Sequence, residues 1–245
     1  MSAYSSSRSF SSSPDPDGIL LVDKPAGMTS HDVVNAVRKM FKIKKAGHGG
    51  TLDPSATGLL VLLLGKGTKL ADRVMGGDKV YEGVMRLGFS TTTQDADGER
   101  VSGSDPSGVT EEALREATAS LTGDIYQTPP MVSALKKDGV PLYKLARKGE
   151  VVEREPRLVH IYRFDVVEFG IPDCRILVKC TKGTYVRTLC HDVGEKLGCG
   201  AHLASLRRTE SGKFTVDKAI AFEDLKTLPR ADLPRHVLPL LAAMN

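Results

Sequence analysis

The sequence predicts an α+β protein, and three patterns support this fold class. Residues 59–64 form an unbroken apolar run, which is typical of a strand buried on both faces of a sheet. Residues 159–169 and 174–181 alternate polar and apolar side chains around a Gly-Ile-Pro-Asp turn and therefore predict a β-hairpin. Apolar residues recur at helical spacing in residues 33–41 and 186–197, which predicts two amphipathic helices.

Composition narrows the class of protein. The chain has 245 residues, 40% of them hydrophobic, which is enough for one large domain or two small ones. Its net charge of +4 is too small to indicate a nucleic-acid partner by itself. The longest apolar run is far shorter than the roughly 20 residues of a membrane-spanning helix, so no membrane segment is expected. The four cysteines form no C-x-x-C pair, which argues against a disulfide framework or a zinc site and predicts reduced thiols.

Residues 1–18 predict a disordered tail, because they contain eight serines and two prolines but few apolar groups. Such a tail could be a transit peptide, but we favour a cytoplasmic location for the protein. Residues 19–245 are expected to form a single folded domain, which begins with a strand at 19–22 and a turn at 23–27.

The first helix follows this turn. Thr29 and Asp32 resemble a capping box, and the apolar spacing carries the helix to about Phe41. A basic cluster lies near the end of this helix. It could bind phosphates or could be an ordinary solvated surface. Its members are Arg38, Lys39, Lys42, Lys44 and Lys45.

The most informative stretch is residues 47–58, which read Gly-His-Gly-Gly-Thr-Leu-Asp-Pro-Ser-Ala-Thr-Gly and precede the buried strand. Four glycines and a proline predict a loop of irregular backbone around Asp53. Asp53 is either an ordinary turn residue or a functional carboxylate that a rigid strand presents to a partner.

The middle of the chain continues with a short helix near residues 70–75 and a strand at 80–88. Alternation places Tyr81 with the apolar side chains of that strand, where the ring could line a pocket or belong to the core. Residues 91–108 predict a loop, and Thr110 is expected to cap a helix that ends near residue 121.

Residues 128–148 predict a projecting arm, because the segment begins with two prolines, is basic and contains a short helix at 142–148. Such an arm can lie against phosphates or can be a solvated connection. It carries a second basic cluster, formed by Lys136, Lys137, Lys144, Arg147 and Lys148.

The helix at 186–197 has Arg187 in its first turn, where a cation opposes the helix dipole. Unless this side chain is simply exposed, the position predicts a carboxylate or phosphate partner. The following strand, 201–208, places Ala204 and Leu206 on one face.

Asp53, Arg187 and two tyrosines, Tyr81 and Tyr185, all lie near glycine turns and suggest an active site. An arginine beside Asp53 would keep the carboxylate ionised and fix both oxygens with two parallel N–H bonds. An oriented carboxylate can act as a nucleophile, aromatic walls can stack a base, and basic clusters can hold a phosphate backbone. The predicted ligand is a nucleotide within RNA.

Five blocks, in order over about residues 18–214, resemble the TruB-type pseudouridine synthases, the family that modifies uridine 55 in the T loop of tRNA. They are Asp-Lys-Pro-Ala-Gly at 23–27, Gly-His-Gly-Gly-Thr-Leu-Asp-Pro at 47–54, Lys-Val-Tyr at 79–81, Pro-Pro-Met-Val-Ser-Ala-Leu-Lys at 129–136 and Lys-Gly-Thr-Tyr-Val-Arg at 182–187. The resemblance implies a pseudouridine synthase fold, with a mixed, mainly antiparallel central sheet flanked by helices. It also implies an RNA-binding arm inserted at about residues 127–155.

The resemblance further implies a set of site residues. Asp53 would be the catalytic aspartate, Arg187 would pair with it, and Tyr81 would stack on the flipped uracil. The residues that would bind or shape the substrate are Lys24, Pro25, His48, Gly50, Thr51, Tyr185 and Leu206. No metal or cofactor is required, and the expected partner is the T-stem loop of tRNA, bound by a monomer without an obligate protein partner. The small PUA-type domain that often ends such enzymes is not expected here, which predicts fewer contacts toward the acceptor end of tRNA.

Three alternatives remain open on these residues. The archaeal and eukaryotic relative that uses box H/ACA guide RNA shares the aspartate loop, although the length of this chain argues against it. An RNA chaperone that folds tRNA would keep the loop without using its chemistry. A glycosidase would need a second carboxylate as an acid, and none is present in the loop.

Overall fold

A computed structural model describes residues 16–243, so most of the predicted tail lies outside the described residues. The strands in this range are β1 (Gly18–Lys24), β2 (Ala46–His48), β3 (Thr57–Leu64), β4 (Lys79–Leu87), β5 (Ser90–Thr91), β6 (Arg100–Ser102), β7 (Gly123–Gln127), β8 (Lys136–Lys137), β9 (Val140–Pro141), β10 (Arg157–Glu168), β11 (Asp173–Cys180), β12 (Ala201–Ser211), β13 (Phe214–Thr215), β14 (Ile220–Ala221) and β15 (Val237–Leu238).

Helices alternate with these strands. The α-helices of the described range are α1 (Ser30–Phe41), α2 (Ala71–Gly76), α3 (Glu111–Ala119), α4 (Leu142–Ala146), α5 (Val186–Leu197) and α6 (Phe222–Thr227). Short 3-10 segments cover Gly65–Leu70, Pro106–Gly108, Val216–Lys218, Arg230–His236 and Leu240–Ala243.

One large sheet organises the fold. Its central path runs β14-β1-β3-β12-β4-β11-β10-β7, with β2, β13 and β15 paired at its sides. Within the described sheet, β12 runs parallel to β3 and β1 runs parallel to β14, whereas the other pairs are antiparallel. The prediction of an α+β fold with a mixed, mainly antiparallel sheet is therefore confirmed, as is the hairpin of β10 and β11.

Helices cover this sheet differently at its two ends. α3 and α5 pack on one face of β4, β10, β11 and β12 and form the larger apolar core. At the other end, β3 contributes alternate side chains to two separate cores, one under α1 and α6 and one under α2 and β13. This strand is therefore buried on both faces, as its unbroken apolar run predicted.

The predicted helix starts are confirmed in atomic detail. The Thr29 side chain accepts a hydrogen bond from the Asp32 backbone N–H, and the Asp32 carboxylate accepts one from the Thr29 backbone N–H, which completes the capping box of α1. Thr110 caps α3 by accepting a hydrogen bond from the Ala113 N–H.

Two predicted boundaries differ from the structure. Residues 91–108 are not a simple loop, because β5 and β6 pair as a small hairpin within that region. Gly18, assigned to the tail, begins β1, and the Asp17 carboxylate accepts a hydrogen bond from the Lys66 N–H at 2.8 Å. The four cysteines are free and buried, and no helix within residues 16–243 combines the length and apolarity that a membrane crossing needs.

Candidate active site

Asp53 lies on the loop between β2 and β3, and 41% of its side-chain surface is exposed. The loop is tied to the first turn of α1. The buried Ser30 hydroxyl accepts a hydrogen bond from the Leu52 N–H at 2.8 Å and donates one to the Leu52 carbonyl at 3.2 Å. Ser30 therefore holds both backbone polar groups of Leu52, the residue before Asp53.

Lys24 fixes the other side of the loop. Its buried ammonium donates to the carbonyls of Pro25, Met28 and Pro54 at 2.8, 2.7 and 3.1 Å. Burial lowers the pKa of Lys24 to about 8, against the opposing pull of the Asp53 carboxylate. Lys24 was predicted to bind or shape the substrate site, and its three N–H donors all bond to backbone carbonyls at this end of the loop.

Arg187 approaches Asp53 from the first turn of α5. Its Nη2 atom lies 3.4 Å from Asp53 Oδ2, and the side chain is only 3% exposed. The expected pair of parallel N–H bonds is absent from this contact, because the same guanidinium also donates to the Val132 carbonyl at 2.6 Å and to Asp95 Oδ2 at 3.3 Å. Arg187 therefore joins the Asp53 loop, the start of the arm and a second carboxylate.

Asp95 is the site residue that sequence reasoning missed. It lies between β5 and β6, where its Oδ1 atom accepts hydrogen bonds from the Thr93 hydroxyl and the Asp97 N–H. The turn is pinned to β12, since the Leu203 N–H and carbonyl both bond to backbone on either side of Asp95. Its side chain is 11% exposed. The Asp95 carboxylate is therefore paired with Arg187 and held in position by the small hairpin of β5 and β6.

Electrostatic effects on Asp53 oppose one another. Burial raises the pKa of Asp53, the Arg187 guanidinium lowers it, and the Asp95 carboxylate raises it again. The charge of Arg187 thus favours the ionised form that a nucleophile needs, while Asp95 limits that effect.

Two tyrosines stand beside this charge network. The Tyr185 ring centroid lies 5.7 Å from the Arg187 guanidinium carbon, and Gln127 bonds both backbone polar groups of Tyr185. Tyr81, on β4, packs with Leu206 against the α5 side of the sheet, and burial raises its pKa. The predicted aromatic and aliphatic side chains therefore lie on the same side of the sheet as Arg187.

Arg208, at the C-terminal part of β12, is a second residue that the sequence analysis missed. It is 1% exposed and donates hydrogen bonds to the carbonyls of Gly50, Thr51 and Leu59. A signal was present, because Arg208 continues the alternation of Ala204 and Leu206 and so places a cation on the inward face.

The remaining predicted site residues surround the loop. His48 lies on β2, and burial, followed by the charge of Arg208, lowers its pKa. Pro25 is half-buried, Gly50 adopts a φ of +133°, and the Thr51 side chain is exposed. Among residues 16–243 no cluster of His, Cys, Asp and Glu could hold a metal ion.

Comparisons with known proteins show the family to which this chain belongs. The model of the TruB family pseudouridylate synthase N-terminal domain matches residues 38–186, and the model of the tRNA pseudouridylate synthase B C-terminal domain matches residues 187–245. The chain is 50% identical over 227 residues to tRNA pseudouridine synthase B of Opitutus terrae, covering 93% of this chain and 94% of that protein. It is 53% identical over 209 residues to the Pseudomonas aeruginosa protein of the same name, covering 85% and 68%.

Solved structures share the fold. The crystal structure of a Cbf5-Nop10-Gar1 complex matches with a TM-score of 0.72 and 30% identity, over 92% of this chain and 61% of that chain. An H/ACA RNP bound to a substrate RNA containing 2′-deoxyuridine matches with a TM-score of 0.66 and 28% identity, over 92% and 57%.

The fold is thus that of the pseudouridine synthases, and the Asp53 loop lies where two halves of its sheet meet at β3 and β12. The chain belongs to the TruB family of pseudouridylate synthases. The boundary between the two matched regions falls in the first turn of α5, immediately before Arg187, so the Asp53–Arg187 contact joins both regions.

Proposed function

We propose that this protein converts uridine to pseudouridine at position 55 in the T loop of tRNA, with Asp53 as nucleophile. The names of its relatives support tRNA as the substrate. The observation that carries the proposal is the environment of the Asp53 carboxylate. Its side chain is partly exposed, and its Oδ2 atom lies 3.4 Å from Nη2 of the buried Arg187. A carboxylate that is oriented but still open on one side can attack a bound ligand.

The reaction is an isomerisation. Asp53 attacks the target nucleotide, the bond between uracil N1 and ribose C1′ breaks, and the uracil rotates. A bond then forms between C5 and C1′, and the bond between Asp53 and the nucleotide breaks, which frees the carboxylate. C5 loses its proton and N1 gains one, so no atom is added or lost. Arg187 keeps Asp53 ionised for the attack, because its positive charge opposes the effect of burial on the pKa of Asp53.

The target base must leave the RNA stack before Asp53 can reach it, which costs roughly a few kcal/mol. In this proposal Tyr81 stacks on the flipped uracil and Tyr185 and Leu206 line the pocket, and such stacking offsets part of the cost. His48, Pro25, Gly50 and Thr51 would contact or shape the opened T loop, whereas Lys24 acts by holding the Asp53 loop.

The enzyme is proposed to act alone. One structural relative comes from a Cbf5-Nop10-Gar1 complex and another from an H/ACA RNP, whereas the more similar relatives carry the name tRNA pseudouridine synthase B. Incubation of this protein with a tRNA transcript, free of any other protein or guide RNA, tests the point directly. We expect one pseudouridine at position 55 and none in a transcript with cytidine there. Conversion that required a guide RNA would contradict the proposal.

A binding-only role makes a different prediction. If the protein folds tRNA without chemistry, an Asp53→Asn variant should keep full function in a tRNA-folding assay and the wild type should form no pseudouridine. We expect the opposite for the wild type. T-arm binding should be retained by the variant, because Asn preserves the shape of the side chain while removing its nucleophilic charge.

A further inference from the structure

Arg208 is a buried cation without a carboxylate partner. Among the described residues, Arg208 has the largest side chain that is completely buried. No carboxylate of the described residues lies within ion-pair distance of it. Its neighbour Arg207 points to the other face of β12 and forms a two-point ion pair with Asp23. A charge buried against neutral groups is costly, so packing alone is a poor explanation for Arg208.

The guanidinium of Arg208 spreads its donors over two pieces of chain. Nε donates to the Leu59 carbonyl at 2.8 Å, which lies in β3. Nη2 donates to the Gly50 carbonyl at 3.2 Å, and Nη1 donates to the Thr51 carbonyl at 3.3 Å. Gly50 and Thr51 stand just ahead of Asp53 in the loop, so Arg208 ties the loop to the strand that follows it.

A glycine on each side of Asp53 lies close to Arg208. A Cβ atom on Gly50 would lie 3.5 Å from Arg208 Nη1, and Gly50 has a φ of +133°. A Cβ atom on Gly58 would lie 2.3 Å from the Arg208 carbonyl oxygen, which no real side chain could tolerate. The close approach of β12 therefore explains Gly58, and the positive φ explains Gly50.

Arg208 also lies beside the expected base-stacking residue. It stands directly opposite Tyr81 in the antiparallel pairing of β12 with β4. Arg208 thus contacts the loop that carries Asp53 and neighbours the residue that is proposed to stack on the base. Lysine would not reproduce this geometry, because its donors sit on one nitrogen at the end of a flexible stem, whereas arginine spreads its donors over a fixed fork.

We propose that Arg208 is a positioning residue, which holds the Asp53 loop against β3 and in register with Tyr81. It does not touch the substrate, and it acts by keeping the carboxylate within reacting distance of the flipped nucleotide. The catalytic consequence rests on the proposed function, but the effect on the loop does not. Misplacing a catalytic group by about 1 Å can cost about 100-fold in rate.

Two substitutions test this role, Arg208→Lys and Arg208→Gln, each matched by the same change at Arg207. Three quantities are measured for each folded variant: the single-turnover rate of pseudouridine formation at saturating enzyme, the Kd for tRNA, and hydrogen exchange of loop amides. The Gly49, Leu52 and Ala56 amides are hydrogen bonded and report on the loop. Circular dichroism gives the folded fraction, so that rates are expressed per folded molecule.

We expect both Arg208 variants to lose about 100-fold in single-turnover rate, to keep Kd within about threefold, and to exchange the loop amides faster. Both Arg207 variants should stay within about threefold of the wild type in rate, because their ion pair is partly exposed. A normal rate in Arg208→Gln would overturn the proposal. So would unchanged loop exchange, or losses of rate and affinity that run in parallel.

Hydrogen exchange also separates this inference from the proposed function. If the wild type formed no pseudouridine, the proposed function would fail, yet faster loop exchange in Arg208→Lys would still support the positioning role. If neither Arg208 variant folded, the Gly50→Ala variant provides the test, because a side chain is strained at that φ and the strain falls on the residue whose carbonyl Arg208 binds. Normal loop exchange and a normal rate in Gly50→Ala would then count against the proposal.

Discussion

At the level of single residues, the sequence pointed to Arg187 for a physical reason. A cation in the first turn of a helix opposes the helix dipole, and the structure supplies the partners that this position requires, Asp53 and Asp95. Asp95 could not be singled out, because an aspartate in a Thr-, Asp- and Gly-rich segment reads as a turn residue. Its burial arises only when the hairpin of β5 and β6 docks on β12, a contact between residues far apart in sequence.

Asp95→Asn should change the pH dependence of the reaction in a defined direction. The charge of Asp95 raises the pKa of Asp53, so its removal lowers that pKa and leaves Arg187 freer to pair with Asp53. The acid limb of the single-turnover rate should therefore move to lower pH. The maximal rate should fall, by roughly tenfold or more, because Arg187 loses one of its anchors.

A matched control for this experiment is Asp97→Asn, which alters a neighbouring carboxylate that does not pair with Arg187. Asp97 contributes less to the pKa of Asp53 than Asp95 does, so its acid limb should move less. An acid limb that moved to higher pH in Asp95→Asn would show that the proposed electrostatic balance has the wrong sign.

Arg187→Met should abolish detectable conversion while leaving tRNA binding largely intact. Without the guanidinium, burial and the Asp95 carboxylate raise the pKa of Asp53 further, and the carboxylate loses its orienting contact. A loss of at least about 100-fold is expected for a group that stabilises charge in a buried site. Arg187→Lys, which keeps the charge but not the fork, should retain more activity. Full activity in the Met variant would show that the ion pair is not needed.

At the level of elements, strong local patterns predicted the long strands, the hairpin of β10 and β11, and the starts of α1 and α3. The very short strands β5, β6, β8 and β9 were missed, because two or three residues carry too little periodicity to be recognised. The order of the strands in the sheet could not be predicted from the sequence either. The pairing of β3 with β12, which brings the Asp53 loop near Arg208, joins residues about 150 positions apart in sequence.

The first turn of α1 should influence both stability and catalysis, because Ser30 bonds both backbone groups of Leu52. Ser30→Ala leaves a buried N–H and a buried carbonyl without their partner, at a cost of about 2 kcal/mol. Chemical denaturation should measure this loss, and the single-turnover rate should fall with it. Ser120→Ala, which removes one hydrogen bond at the exposed end of α3, should cost less than 1 kcal/mol. Equal effects of the two changes would show that Ser30 has no special role.

At the level of the whole molecule, the net charge is modest, but the arm has a local basic surface. The excursion between β7 and β10 presents Lys136 and Lys137, whose side chains are exposed, at one end of the sheet. Each phosphate contact contributes about 0.9 to the slope of log affinity against log salt. The double variant Lys136→Glu/Lys137→Glu should therefore bind tRNA more weakly and with a shallower salt dependence.

The control for the arm is Lys226→Glu on α6, at the opposite end of the sheet. It changes the net charge in the same sense without touching the arm. If the arm lies against RNA, the salt slope measured by filter binding should change little in this control and by roughly two units in the arm variant. Identical slopes in the two variants would indicate that the arm does not contact phosphates.

The most direct test of the whole account is to map pseudouridine in a T-arm minihelix after incubation with wild-type and Asp53→Ala protein. Asp53 is the group on which Arg187, Asp95, Lys24 and the loop contacts all converge. The account predicts a single pseudouridine at the position equivalent to 55 with the wild type and none with the variant, although both bind the minihelix. Equal product from the two proteins would contradict it.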